Sequence, residues 1–254
     1  MLDKDLARRV FACIDNTTLN GTDDVSSVED FCRKTLEMRL SNAEGLITVA
    51  AVCVYPRFVK TARGVLEGSG VKVASVAGAF PHGQLPLRLK VEEVKQAVGD
   101  GADEVDIVIN RGLILAGEEN EVRDEVAAMK EACQGKTLKV ILETCELAGS
   151  PTLLKMAAEL AIEGGADFIK TSTGKGSGGA TLEAVREMLE VVTNYVKICK
   201  KNIGFKAAGG IREPEEALAY AELAKKIMGD NYINSQTFRI GASRLTDKLF
   251  SILT

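Results

Sequence analysis

The sequence has few of the residues from which metal sites and disulfide frameworks are built. It contains one histidine, His82, and six cysteines, none of them in a CxxC pair. Zinc sites usually take several histidine or paired cysteine ligands, so a histidine-rich metal site is excluded and at most one general base is a histidine. The cysteines are interpreted as reduced thiols.

Long apolar runs and basic clusters are also missing. No stretch approaches the roughly 18 apolar residues that span a bilayer, and the start MLDKDLARRV lacks the apolar segment of a signal peptide. The net charge of −4, without any run of Lys and Arg, argues against a nucleic-acid partner. The sequence therefore predicts a cytosolic protein that acts on a small molecule, with no membrane or nucleic-acid partner.

Nothing in the sequence divides the chain. The five prolines are scattered, and there is no low-complexity tract or Ser/Pro-rich linker. Apolar residues make up 46% of the chain, which is enough for a sizeable core and too much for intrinsic disorder. Residues 1–254 are therefore expected to form one domain.

Short runs rich in β-branched residues alternate with stretches rich in Ala, Leu, Glu and Lys, a pattern that predicts parallel strands joined by helices. The predicted strands are 11–15, 47–54, 72–79, 104–110, 139–145, 168–173, 203–208 and 238–242. The predicted helices are 91–100, 119–133, 153–163, 182–200 and 214–228. Eight such units match a (β/α)8 TIM barrel, and an open Rossmann-type sheet is the alternative. In a barrel, the active site lies where the strands end.

The fourth predicted strand carries a carboxylate on an otherwise apolar segment. In EVDIVIN, Val105 and Ile107 share one face, and Asp106 lies on the other. If the apolar face meets the helices, Asp106 points into the lumen, where a charged carboxylate must be paired. A catalytic role and a structural ion pair both remain open on this observation.

The sixth and seventh predicted strands each place a lysine toward the lumen. Lys170 in FIKTSTG and Lys206 in GFKAAGG lie on neighbouring strands, about 4.8 Å apart in a sheet. A second ammonium and partial desolvation both lower a lysine's pKa, which favours a neutral amine that can form a Schiff base. The alternative is a structural network in which both lysines pair with Asp106 and Glu143.

Glycine-rich segments follow the last strands. Such loops let backbone N–H groups approach an anion, and barrels frequently bind phosphate there, so a phosphorylated small molecule is predicted. The candidate residues are Gly174, Lys175, Gly209, Gly210, Gly241 and Ser243. Gly174, Gly176 and Gly179 also satisfy GxGxxG, but the acidic residue expected about 20 positions later in a dinucleotide site is missing.

Three further side chains stand near predicted strand ends. Asp15 is a lumen-end carboxylate or a turn anchor, and Cys53 is placed to line a pocket. His82, in FPHG, is interpreted as a rim residue rather than as a catalytic base.

In chain order, the segments IDNTTLN, CVYPRF, FPHG, GADEVDIVIN, KVILET, ADFIKTSTG, GFKAAGGIR and RIGAS resemble the strand ends of the 2-deoxyribose-5-phosphate aldolase family. The resemblance covers almost the whole chain. It implies a class I aldolase that reversibly cleaves 2-deoxy-D-ribose 5-phosphate to acetaldehyde and D-glyceraldehyde 3-phosphate in deoxynucleoside catabolism. No metal or cofactor is implied, because a protonated imine polarises the substrate.

The resemblance also implies a role for each site residue. Lys170 would form the Schiff base, Lys206 would perturb its pKa and share in proton transfer, and Asp106 would be the acid/base carboxylate. The implied substrate-binding residues are Asp15, Cys53, Thr171, Gly174, Lys175, Gly209, Gly210, Gly241 and Ser243. Arg244 stands where many relatives have a second serine. A homodimer is expected, and the alternative function is a metal-independent sugar-phosphate isomerase or epimerase, which would not need two adjacent lysines.

Overall fold

The computed structural model describes residues 3–42, 45–147 and 149–254. The strands within these ranges are β1 (Ile14–Thr17), β2 (Leu40–Asn42), β3 (Gly45–Ile47), β4 (Ala51–Val54), β5 (Lys72–Ala77), β6 (Glu104–Val108), β7 (Thr137–Ile141), β8 (Phe168–Lys170), β9 (Gly204–Ala208) and β10 (Phe238–Ala242). Eight of them pair in parallel and close a barrel in the order β1, β10, β9, β8, β7, β6, β5, β4. The TIM-barrel prediction is confirmed, and β2 and β3 form a separate antiparallel pair.

Helices follow the strands and pack around the barrel. They are α1 (Lys4–Ala12), α2 (Val25–Glu37), α3 (Val59–Leu66), α4 (Leu87–Gly99), α5 (Arg111–Ala116), α6 (Glu119–Ala132), α7 (Thr144–Leu147), α8 (Pro151–Glu163), α9 (Leu182–Cys199), α10 (Pro214–Met228) and α11 (Leu245–Leu253). The five predicted helices correspond to α4, α6, α8, α9 and α10. Within the described ranges, no helix has the length and apolar character needed to cross a membrane.

The alternation of side chains along each strand divides the interior into two regions. Residues such as Val105, Ile107 and Val140 face the helices and belong to the main apolar core. The lumen-facing residues of β4 and β5 form a smaller apolar cluster with Leu19, whose strand members are Ala51, Cys53, Ala74 and Val76. The charged side chains described below also lie on lumen-facing positions, on the other strands of the barrel.

Of the eight predicted strands, 238–242 has the same bounds in the structure, as β10, and the other seven differ, two of them most. The run 11–15 was expected to be extended from Phe11, but Phe11 lies in α1, where Asp3 accepts hydrogen bonds from the backbone N–H groups of Asp5 and Leu6, both at 3.0 Å. The run 47–54 is divided between β3 and β4. Both segments are apolar and short, so periodicity alone does not separate helix, hairpin and barrel strand.

Two helical glycines give a test of the packing between helices. A Cβ on Gly164, which ends α8, would lie 2.7 Å from Val126 Cβ, whereas a Cβ on Gly64 in α3 would meet no atom within 4 Å. Gly164→Ala is expected to destabilise the fold by about 1–3 kcal/mol through overpacking. Gly64→Ala is expected to stabilise it by about 0.5–1 kcal/mol through lower backbone entropy of the unfolded chain. Urea unfolding measures both, and equal effects of the two substitutions would contradict this account of the α6–α8 contact.

Candidate active site

The lysines of β8 and β9 lie side by side in the lumen. Lys170 is the register partner of Lys206, and Lys206 is in turn the partner of Arg239 on β10. Their strand neighbours Ile169, Phe205 and Ile240 face the helices and belong to the core. Three cationic side chains therefore converge on the lumen from consecutive strands.

Asp106 is the carboxylate that holds these lysines together. Its Oδ2 accepts hydrogen bonds from the Nζ atoms of Lys170 and Lys206, each at 2.8 Å. Its Oδ1 accepts one from Lys139 Nζ at 2.9 Å. One fully buried carboxylate thus binds three ammonium groups.

A second set of ion pairs lies toward the N-terminal ends of the strands. Asp15 accepts hydrogen bonds from Lys206 and Arg239, and Glu104 binds Arg239 Nη2 at 2.7 Å and Lys139. We refer to the connected, buried side chains as the lumen charge cluster, which consists of Asp15, Glu104, Asp106, Lys139, Lys170, Lys206 and Arg239. Lys170 and Lys206 both bind Asp106, as the structural alternative had it, but the second carboxylate is Asp15, which binds Lys206, and not Glu143.

The two paired lysines titrate in opposite directions. Burial lowers the pKa of Lys170, and the Lys206 ammonium lowers it further, against the attraction of Asp106. Burial also acts to lower the pKa of Lys206, but the attraction of Asp106 and Asp15 outweighs it and the pKa is raised. At neutral pH, Lys170 is thus more often a neutral amine than an ordinary lysine, while Lys206 stays charged.

Asp106 is held in its ionised form. Burial alone would raise its pKa, but the surrounding ammonium groups of Lys139, Lys170 and Lys206 keep the pKa well below its ordinary value. The site therefore combines a carboxylate, a charged lysine and a lysine with a lowered pKa within hydrogen-bonding distance.

A cavity of about 300 Å³ opens above the lysines at the C-terminal ends of the strands. Lys170, which is 4% exposed, is the one member of the lumen charge cluster that lines it. The predicted phosphate-loop residues that line the cavity are Gly174, Lys175, Gly209, Gly210, Gly241 and Ser243. Thr17, Asn20, Thr173 and Arg212 also line it and were not predicted.

The rim of the cavity depends on close backbone contacts. Gly209 and Gly210 have φ values of +88° and +79°, and a Cβ on Gly179 would lie 2.1 Å from the carbonyl oxygen of Gly209. Ala180 donates its N–H to the carbonyls of Ala208 and Gly209, at 3.1 and 3.3 Å. The last glycine of the GxGxxG pattern is therefore required by the packing of one rim loop on the other.

Three predicted substrate-binding residues do not line the cavity. Asp15, Cys53 and Thr171 are fully buried. Asp15 belongs to the lumen charge cluster, and Cys53 lies in the apolar lumen cluster, where burial raises the pKa of its thiol to about 11. The Thr171 hydroxyl donates to the Ala208 carbonyl and accepts from its N–H, both at 3.0 Å, and so links β8 to β9.

The remaining predicted rim residues lie at the surface. His82 and Arg244 are exposed, and neither lines the cavity. Within residues 3–42, 45–147 and 149–254, no group of three or more His, Cys, Asp or Glu side chains could hold a metal ion.

Glu143 is a buried glutamate that supports the cavity wall, a role different from the pairing with the lysines that the sequence suggested. Glu143 is 1% exposed, has a φ of +54°, accepts a hydrogen bond from the Thr173 hydroxyl, and lies 3.7 Å from Arg111. Thr173 in turn accepts a hydrogen bond from the Lys175 N–H at 3.0 Å. The positive φ of Glu143, beside the loop that carries Lys175, is the signal of this supporting role, and it is visible only in the structure.

The family model described as "DeoC/LacD family aldolase" matches residues 9–245. The chain belongs to the DeoC/LacD aldolase family. It is 44% identical over 241 residues to the deoxyribose-phosphate aldolase of Mus musculus, covering 91% of this chain and 76% of that protein. The aldolase predicted from the sequence is confirmed, and these comparisons give no support to an isomerase or epimerase.

Solved structures of aldolases share the fold. The structure titled "QR15, an Aldolase" is 33% identical, covers 99% of this chain and 97% of that chain, and has a TM-score of 0.79. The structure of deoxyribose phosphate aldolase from Aeropyrum pernix is 24% identical, covers 99% of this chain and 97% of that chain, and has a TM-score of 0.74, a likeness that shows the fold.

Proposed function

We propose that this aldolase reversibly cleaves 2-deoxy-D-ribose 5-phosphate to D-glyceraldehyde 3-phosphate and acetaldehyde, through a Schiff base on Lys170. The observation that carries the proposal is Lys170 itself, a lysine with a lowered pKa that borders a cavity rimmed by glycines. The named relatives catalyse the same class of reaction, and the reaction belongs to deoxynucleoside catabolism.

Lys170 is assigned as the nucleophile. Its neutral amine adds to the C1 carbonyl of the open-chain sugar, and loss of water from the carbinolamine gives a protonated imine. Because Lys170 lies at the floor of the cavity and its amine is next to Asp106 Oδ2, both the carbonyl and a proton acceptor are within its reach.

The protonated imine then accepts the electrons of the bond that breaks. When the C3 hydroxyl loses its proton, the C2–C3 bond cleaves, D-glyceraldehyde 3-phosphate leaves, and an enamine remains on Lys170. Protonation at C2 and hydrolysis of the imine release acetaldehyde and restore the lysine. No external electrophile is needed for these steps, because the iminium is the electron sink.

Asp106 and Lys206 are assigned to proton transfer. Asp106 Oδ2 accepts from both lysines at 2.8 Å, so a proton given up at Lys170 can pass to this oxygen, and the neighbouring Lys206 ammonium favours its later release from the neutral carboxyl group. A carboxylate with a lowered pKa releases the proton again readily, as the later protonation steps require.

The glycine rim is assigned to the phosphate. Lys175 and Arg212 add positive charge to the backbone N–H groups of the loops after β8 and β9. Gly241 and Ser243 complete the wall after β10, which is the usual place for phosphate in this type of barrel. Asp15, Cys53 and Thr171 are assigned to the support of the lysines and strands, since they are buried beneath the cavity.

Imine trapping tests the role of Lys170. Incubation with 2-deoxyribose 5-phosphate and sodium borohydride is expected to give a stable adduct that peptide mapping places on Lys170. Lys170→Ala should abolish both the adduct and turnover without unfolding the protein. In Lys206→Ala the pKa of Lys170 should rise, so the adduct should form more slowly at neutral pH, by about tenfold for each unit by which the pKa rises. The rate of adduct formation should recover at alkaline pH.

Turnover by Lys170→Ala would exclude the Schiff-base mechanism. If trapping in Lys206→Ala showed no recovery at alkaline pH, Lys206 would act in proton transfer alone.

A comparison of phosphorylated and unphosphorylated sugar tests the phosphate assignment. Lys175→Met removes a cation from the cavity wall. It should raise KM for 2-deoxyribose 5-phosphate by about tenfold, which is the effect of losing one charge-assisted hydrogen bond. KM for 2-deoxyribose, which has no phosphate, should not change. The control is Lys201→Met, which removes an exposed lysine outside the cavity and should change neither. Equal losses on both sugars in Lys175→Met would place the phosphate elsewhere.

Three features expected from the sequence are also proposed: one folding domain, a cytosolic location and a homodimer. The cysteines support the cytosolic location, because none of the six forms a disulfide and Cys199 is an exposed free thiol. An aldolase of the same fold is described as tetrameric, which supports assembly in general. Light scattering should give twice the monomer mass, and a monomer mass at micromolar concentration would contradict the dimer.

A further inference from the structure

We propose that Arg239 and Glu104, which lie outside the cavity, are positioning residues for the nucleophile: each of their two buried charges enters the balance that leaves Lys170 as the one unmatched cation of the lumen charge cluster. The inference deepens the proposed function, since it rests on Lys170 as the Schiff-base residue. It concerns residues that line no part of the cavity.

The lumen charge cluster holds more cations than carboxylates. Each of its members is at most 4% exposed, so bulk water does not solvate these charges and they must be compensated by one another. Its four cations are Lys139, Lys170, Lys206 and Arg239, and its three carboxylates are Asp15, Glu104 and Asp106. With every carboxylate ionised, one cation has no matching negative charge.

The contacts show which of the four cations has the least compensation from the carboxylates. Lys139 lies within 3.4 Å of oxygens of three carboxylates, and Lys206 and Arg239 each bind two. Lys170 binds only Asp106, through the same Oδ2 that also binds Lys206. Loss of a proton therefore costs least at Lys170.

The other ionisable groups near Lys170 do not change this result. Cys53 on β4 faces it as a neutral thiol, because burial raises the pKa of that thiol to about 11. Glu143, after β7, is bound to Thr173 and Arg111. Lys72 binds Glu104 at 3.0 Å from the N-terminal end of the barrel, but its side chain is 36% exposed, so water screens its charge.

Arg239 and Glu104 influence Lys170 through this balance rather than by contact. Arg239 binds both Asp15 and Glu104, so its positive charge offsets part of theirs, and Lys206 contacts Asp106 Oδ2 as well as Asp15. Removal of the Arg239 charge leaves equal numbers of buried cations and carboxylates, which favours a protonated Lys170. Removal of the Glu104 charge has the opposite effect.

The test is the pH dependence of imine formation, followed as the rate of cyanoborohydride trapping of acetaldehyde on Lys170 by mass spectrometry. Arg239→Met should move the midpoint of the profile upward by about one pH unit, the size expected for one buried charge acting at an effective dielectric constant of about 20. Glu104→Gln should move it downward. The double variant Arg239→Met/Glu104→Gln restores the excess of one cation and should return the midpoint to near the wild-type value.

The matched control is Lys90→Met. Lys90 is a fully buried lysine paired with Glu125 at 2.7 Å between α4 and α6, outside the barrel. Its loss should lower thermal stability without moving the midpoint. A structural effect of buried-charge loss would instead shift Lys90→Met and Arg239→Met alike, and that result would overturn the proposal.

Two other outcomes decide the matter. Arg239→Met could fail to fold, whereas the double variant should fold, since removal of both partners of a buried pair is tolerated better than removal of one. In that case the midpoint of the double variant must still lie above that of Glu104→Gln. Midpoints that shift in the same direction in Arg239→Met and Glu104→Gln, or that stay at the wild-type value, would overturn the charge balance. Absence of any wild-type adduct would instead contradict the proposed function.

Discussion

The three hydrogen bonds to the Asp106 carboxylate are the interaction on which the active-site arrangement depends. Two lysines meet on one of its oxygens and a third binds the other, so ammonium groups from β7, β8 and β9 are held together in a lumen without bulk water. Burial, together with repulsion by the Lys206 ammonium, lowers the pKa of Lys170, and the attraction of the ammonium groups keeps Asp106 ionised. The same few contacts thus link the strands of the barrel and set the protonation of Lys170.

The alternation of residues along the strands made much of this predictable. It identified the barrel, the inward direction of Asp106, and the adjacency of Lys170 and Lys206. It did not identify Arg239 or Lys139 as partners, although both lie on lumen faces by the same alternation. Which side chains meet across a barrel depends on the stagger of all eight strands, which no single segment reveals.

The sequence also did not predict how deep in the lumen each side chain lies. Asp15 and Gly241 are register partners on adjacent strands, yet Asp15 is buried among ion pairs and Gly241 borders the cavity. The Asp15 carboxylate meets Lys206 and Arg239 inside the lumen, whereas Gly241 has no side chain and its backbone borders the cavity. Glu143 was considered as a partner of the lysines, and its actual role was not predicted because that role follows from a positive φ and from the contact with Thr173 rather than from a motif.

The contact between the two glycine loops has a consequence for how the enzyme recognises its ligand. Gly179 rests on Gly209, the Ala180 N–H is bound to the next strand, and the Tyr220 hydroxyl donates to the Ala180 carbonyl at 2.8 Å. The two loops therefore continue the sheet beyond its strands and are fixed before any anion arrives. Loops fixed in this way lose little conformational entropy when a ligand binds, so under the proposed assignment of this rim to the phosphate, the cost of ordering the site has already been met in the fold.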